Sequence, residues 1–181
     1  MKKMVMPPES VDIIGNVHTR ICDTNRRLIN NTTIHNKCTD DGLMYILFCI
    51  LQEYTPAIKY FGITTLITDD LGRYNVEKDH IFRLDAHDDN DRGGLIRDLI
   101  SGGGNTYRAR FKFYLQSNQL NGEILKSIHL YMQDANGNLF KAFSANHATY
   151  SDGQLILKDN TITVSYEWII GLRNEFEEES V

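Results

Sequence analysis

Two groups of residues in this chain have side chains suited to holding a metal. His18, Cys22, His35 and Cys38 follow the pattern H-x3-C-x12-H-x2-C, whose ligand types and gaps suit tetrahedral Zn²⁺. Zinc-binding cysteines usually come as close CxxC pairs, and here they do not. A buried Cys22 with histidines at the surface accounts for the same residues. The densest polar cluster is Asp85-Ala86-His87-Asp88-Asp89-Asn90-Asp91-Arg92-Gly93. A calcium loop needs glycine at position 6 and a bidentate Glu at position 12. Counted from Asp85 those places hold Asn90 and Ile96; counted from Asp88 they hold Gly93 and Leu99. The register fails, and residues 85–93 read as a solvated loop.

Ser101-Gly102-Gly103-Gly104-Asn105-Thr106 has the composition of a phosphate cradle. Such loops follow a strand, open a helix and present a lysine. This one precedes a strand, and no lysine follows until Lys112, so a turn is the better reading. Arg108, Phe111, Lys112, Phe113 and Tyr114 alternate basic and aromatic residues, as a platform for stacked bases would. An amphipathic strand with Tyr107, Ala109, Phe111 and Phe113 inward explains them without a ligand. Six histidines and three cysteines are scattered along the chain, with no nucleophile beside a base. The expectation is a protein that is not an enzyme, with no catalytic residue, cofactor or metal.

Composition narrows the class. At 181 residues the chain suits one well-buried domain. A net charge of -5 argues against a nucleic-acid surface, which shows a clustered Lys/Arg excess. The most apolar run, Leu43 to Leu51, is too short for a bilayer span of about 20 residues, so no membrane partner is expected. The start, MKKMVMPPES, loses its apolar run at Pro7-Pro8 and is unlike a signal peptide. Cys22, Cys38 and Cys49 cannot all pair, and free thiols are expected. The chain reads as made and kept inside a cell, or assembled there into something larger.

The elements that would position any site divide into three parts: 1–56, an arm and helices; 57–172, a β-sandwich domain; 173–181, an acidic tail. Val11, Ile14, Val17, Ile21, Leu28 and Ile29 recur at roughly helical spacing, which predicts a helix over about 9–30. A second helix is predicted from Gly42 to about Tyr54, capped by Asp40-Asp41. Ile58 to Thr68 reads as a strand interrupted at Gly62. Residues 69–92 read as a long polar loop, and Gly93 to Ser101 as one short helix. A β meander follows: Tyr107–Gln116, Ile124–Met132, Leu139–Ala145, Gln154–Leu157 and Thr161–Ile170. Between its second and third strands lies Asp134-Ala135-Asn136-Gly137-Asn138, a hairpin tip in which Asn136 and Gly137 tolerate positive φ. The fold class is therefore α+β, mainly β: an antiparallel β-sandwich with N-terminal helices.

Phe61 to Thr65, Lys126 to Ala142 and Ile162 to Ile170, in that order, resemble a pattern of bacteriophage tail-fibre, tail-collar and attachment proteins. That pattern has a strand like F-G-I-G-T; a segment like R-E-I-G-L-Y with a D-x-x-G turn and L-F-A; and a closing strand like I-T-V-x-W-E-I. Here stand Phe61-Gly62-Ile63-Thr64-Thr65; Lys126-Ser127-Ile128-His129-Leu130-Tyr131 with Asp134 to Ala142; and Ile162-Thr163-Val164-Ser165-Tyr166-Glu167-Trp168-Ile169-Ile170. Ser127 and His129 replace the pattern's Glu and Gly, and Thr64 replaces a glycine. The resemblance spans roughly residues 58–170 and implies no catalytic residue. It implies a virion structural protein, assembled in the host cytoplasm, that joins other virion proteins as a homo-oligomer. The alternative is a monomeric β-sandwich binding module for a carbohydrate or protein ligand, using exposed Tyr107, Tyr131, Tyr150 and Tyr166.

Overall fold

A computed structural model of the chain describes residues 11–44, 57–84, 97–101 and 106–174. Among these the protein is mainly β, with two antiparallel sheets. The strands are β1 (Val11–Asp23), β2 (Leu28–His35), β3 (Lys37–Cys38), β4 (Ala57–Thr68), β5 (Tyr74–Arg83) and β6 (Arg97–Ser101). They continue with β7 (Thr106–Leu115), β8 (Glu123–Gln133), β9 (Leu139–Asn146), β10 (Ile156–Lys158) and β11 (Ile162–Asn174). The first sheet runs β2-β1-β11-β7-β6. The second runs β3-β9-β8-β4-β5, with β10 also paired to β8.

Period-two alternation places the core. On β11, Ile162, Val164, Tyr166 and Trp168 are buried, while Thr163, Ser165 and Glu167 between them are only partly so. Val17, Thr19 and Ile21 of β1 and Phe111, Phe113 and Leu115 of β7 share that buried face. The second sheet contributes Phe61, Ile63, Leu125, Ile128, Leu130 and Phe143 to the same core cluster. The Phe61 ring bridges the two sheets. It stacks on Phe113 at 4.5 Å between centroids and lies 5.1 Å from Tyr166 and 6.3 Å from Trp168. Burying each large side chain here is worth roughly 1.5–3 kcal/mol.

Among the described residues one turn recurs in four places. Asp23–Arg27, Asp69–Arg73, Asp134–Asn138 and Tyr150–Gln154 each exchange backbone hydrogen bonds in one arrangement, with a left-handed residue fourth. This is the three-residue hairpin loop built on a type I turn, whose αL residue forms a bulge. In the first three the leading Asp also accepts from the N–H of the fifth residue, at 2.7–2.8 Å. In the expected Asp134–Asn138 turn only Gly137 takes positive φ, at 87°; Asn136 does not.

Several expected elements are corrected. The helix over 9–30 is instead β1 and β2, as far as residues 11–30 are described. Val17 and Ile21 fit both periods; the buried Thr19 between them completes the strand face but interrupts the apolar pattern. Through β1 and β2, residues expected to precede the β domain are strands of its sheets, β1 pairing with β11 along its whole length. The second helix does begin at residues 40–44, but Thr39 caps it. Its Oγ1 accepts from the Gly42 N–H at 3.0 Å, and Asp40-Asp41 fall in the first turn. The rest of that helix lies outside the described residues.

Within the expected loop 69–92 lies β5, an edge strand whose exposure on both faces hides any alternation. Residues 97–101 of the expected short helix form β6, paired to β7. Gly62 does not interrupt β4, and the Tyr131 ring takes the space a side chain there would need: a Cβ at Gly62 would come within 2.4 Å of that ring. Nor do the C-terminal strands form a meander. β8 and β9 are a hairpin, whereas β11 leaves for the other sheet and sits between β1 and β7. The polar loop 85–93 and residues 102–105 of the glycine run lie outside the described residues.

Candidate functional site

The four residues of the zinc pattern do not converge. His18 on β1 bonds Thr33 on β2, with Nδ1 and Oγ1 2.8 Å apart. Cys22 sits opposite Leu28 near the far end of the same pair, and His35 sits opposite Asn16. Cys38 belongs to β3 in the other sheet. Among the described residues, no group of three or more His, Cys, Asp or Glu is placed to hold a metal ion. No helix among them is long and apolar enough to cross a membrane.

The most connected polar cluster lies on the face of the second sheet that turns away from the core. Phe61 and Ile63 of β4 point inward, and Gly62 and Thr64 alternate outward opposite His129 and Ser127 of β8. Asp79 of β5 is opposite Thr64, and Ser144 of β9 is opposite His129. Four adjacent strands thus bring one row of side chains together. Thr64 Oγ1 lies 2.5 Å from Asp79 Oδ1 and 2.8 Å from His129 Nε2. Ser127 Oγ is also 3.1 Å from Nε2, and on the other side of the ring His129 Nδ1 is 2.8 Å from Ser144 Oγ. Lys141 Nζ donates to Asp79 Oδ2 at 3.0 Å and lies 5.9 Å from the Tyr131 ring centroid.

The proton positions in this row follow from the ionised carboxylate. Burial pushes the Asp79 carboxyl up, but the bonds from Thr64 and Lys141 outweigh it and hold the group below its ordinary value. An ionised Asp79 only accepts, so the Thr64 hydroxyl donates to it. Thr64 Oγ1 then accepts from the His129 Nε2–H, and His129 Nδ1 accepts from Ser144. Burial, seconded by the Lys141 charge, lowers the His129 imidazole to about 4, so it stays neutral at pH 7. In this direction His129 is a donor to Thr64, which is opposite to what a base activating a nucleophile requires. The row does what a structural network does: it ties four strands through satisfied bonds.

A second cluster sits on the inner face, at the end where β8 begins. Glu123 Oε2 accepts from Thr65 at 2.5 Å and from His80 at 2.7 Å, and Lys78 lies 3.8 Å from Oε1. Period-two alternation along β4 turns the consecutive Thr64 and Thr65 to opposite faces, so that each serves a different cluster. Two further buried groups are fully engaged. His147 Nδ1 donates to the Ala148 carbonyl at 2.8 Å, which leaves Nε2 to accept from the Tyr166 hydroxyl at 2.7 Å. Burial lowers His147 to about 4 and holds Tyr166 well above its ordinary value. Lys158 is fully buried and donates to Ser117 O, Asn121 Oδ1 and Asp159 O.

Sequence reading placed Phe111 and Phe113 inward, and they are in the core. It also expected exposed tyrosines; Tyr131 and Tyr166 are instead buried, at 4% and 1% exposure, and Tyr150 is half-buried. Nothing in the chain order brings Thr64, Asp79 and His129 together, or Thr65, His80 and Glu123. Thr64, Ser127 and His129 meet in one network. No protein-family model, curated protein or solved structure matches the chain.

Proposed function

We propose that this protein is a non-enzymatic structural component of a bacteriophage virion, of the tail, collar or fibre-attachment kind. In this reading its two sheets are an antiparallel β-sandwich that joins other virion proteins within a symmetric homo-oligomeric assembly, put together in the host cytoplasm. The observation that carries it is the spatial coupling of the resembling segments. β4 pairs with β8, and Phe61 of the first segment reaches Tyr166 and Trp168 of the third. The three departures fall at neighbouring positions and bond to one another, as replacements within one packed motif would.

The binding-module alternative draws on exposed tyrosines, and the burial of Tyr131 and Tyr166 removes two of the four. The test is direct. Antibody raised against the purified chain is used to probe density-purified phage particles from the producing strain. A band at constant stoichiometry to the major capsid protein, with gold label at the tail or collar, supports the proposal. A chain that stays in the supernatant while particles form overturns it.

A further inference from the structure

β5 is the outer strand of its sheet, paired among the described residues with β4 alone. Its two ends are held by different means. At one end Phe82 packs on the core, its ring centroid 4.9 Å from that of Phe113, and Leu84 just beyond is 4% exposed. At the other end residues 74–79 are exposed one after another, so neither face of that half is buried. Apolar packing anchors the first end and cannot anchor the second.

The exposed half is held by charge instead. Glu77, Lys78, Asp79 and His80 are consecutive, and each reaches past β4 to an ionisable partner on β8 or β9. On the outward face Lys126 of β8 donates to Glu77, and Lys141 of β9 donates to Asp79 at 3.0 Å. On the opposite face Glu123 of β8 accepts from His80 at 2.7 Å and lies 3.8 Å from Lys78. β4, in between, supplies the short side chains of Thr64 and Thr65, which donate to the same Asp79 and Glu123. An isolated exposed ion pair holds little. Here the His80 and Glu123 side chains are only 17% and 15% exposed, and all four contacts act on four successive residues.

We infer that β5 is held by an ionic latch: residues 74–80 part from β4 as one unit, pivoting at Phe82, when the charges at 77–80 are screened or neutralised, while the rest of the sheet stays paired. Local opening of this kind falls where buried apolar contacts are few. The residues opposite this half are Ile63 to Thr68. Opening bares their backbone N–H and C=O groups along a free strand edge. The latch thus decides whether that half of β4 is an inner strand or an outer one. The inference goes beyond the virion reading and does not depend on it.

Hydrogen exchange of the full chain, read by mass spectrometry at one fixed pH and low salt, tests the latch. Glu123→Gln keeps the shape and an acceptor for Thr65 but loses the charge, and it should speed the protected amides of residues 74–80 roughly tenfold. Residues 81–84 and strands β1 and β11 should keep their rates. Glu77→Lys sets two like charges together and should speed the same amides a few-fold; adding Lys126→Glu re-forms the pair in reverse and should return them to the wild-type rate. Glu167→Gln, which removes the partner of Arg110 and Lys112 in the first sheet, should leave them unmoved. If Glu123→Gln does not fold, the exchange of Glu77 and Lys126, both well exposed, carries the test alone. Rates at 74–80 that none of these changes move overturn the latch. Exchange that speeds equally through both sheets, or a Glu77→Lys effect that Lys126→Glu does not reverse, overturns it as well.

Discussion

Arg26 occupies in the β1–β2 turn the place that Gly137 occupies in the β8–β9 turn. Each donates its backbone N–H to the carbonyl of the turn's first residue, Asp23 or Asp134, at 3.0 and 3.1 Å. Each is left-handed, with φ of 63° and 87°. Gly72 and Gly153 fill the same place in the other two hairpins. Among the described residues the fold uses one turn four times and puts glycine at its strained position three times.

Arg26→Gly should therefore stabilise the protein. A side chain in the left-handed region costs roughly 1–2 kcal/mol, offset in part by the larger unfolded-state entropy of glycine. A net gain of about 0.5–1 kcal/mol is expected in urea melts at dilute protein concentration. Arg26→Ala removes the same charge but keeps Cβ and should bring no gain. Equal effects of the two substitutions would show that the charge, and not the backbone, was responsible.

Gly137→Val should do the opposite. The site has open space, its nearest non-local atom being Gln133 Nε2 at 3.8 Å, so any cost comes from the backbone alone. A β-branched residue at φ 87° is strained, and a loss of about 1–2 kcal/mol is expected. An unchanged melting temperature would contradict the turn geometry.

Lys158→Met tests the loop that delivers β8. The ammonium has three N–H bonds and three oxygen partners, at 2.6–3.1 Å. Burial lowers its pKa to about 8, with Asp159 opposing, so the group is charged at pH 7. Methionine fills similar volume but leaves Ser117 O, Asn121 Oδ1 and Asp159 O without this donor. Each unsatisfied buried acceptor costs about 1–3 kcal/mol, so a total loss of roughly 3 kcal/mol is expected, the more exposed acceptors regaining water. Faster hydrogen exchange confined to residues 116–123 would locate the damage.

How much of this was legible beforehand depended on whether a face was buried. β4, β7, β8, β9 and β11 alternate, and their sequence signals fell within a few residues of the observed strands. β5 and β6, at one edge of each sheet, went unread. β5 exposes most of its side chains, so YNVEKDHIFR carries no apolar period to detect. β1 reads as helix because Val17 and Ile21 are four apart, a spacing common to helix and strand; its β-branched content is the better guide. The polar row was illegible for another reason. Register, which chain order does not contain, is what sets Thr64 beside Asp79 and His129 beside Ser144.

The two buried histidines predict an acid-sensitive fold well above the carboxylate range. His129 and His147 both have pKa values lowered to about 4 in the folded chain, against 6.5 when unperturbed. Between those values the unfolded chain binds more protons, so stability rises with pH across that window and is lost as pH falls through it. Acidification through the window costs up to roughly 3 kcal/mol for each histidine by this linkage. The aspartates held low by hydrogen bonds, Asp79 among them, add a separate loss at still lower pH. Urea midpoints should therefore start to fall near pH 6.5 and keep falling to about pH 4. His147→Gln keeps a donor and an acceptor near Ala148 and Tyr166 but cannot titrate, and it should flatten that slope at some cost in stability at pH 7. A slope that the variant leaves unchanged would mean that His147 is not buried as a neutral imidazole against Tyr166.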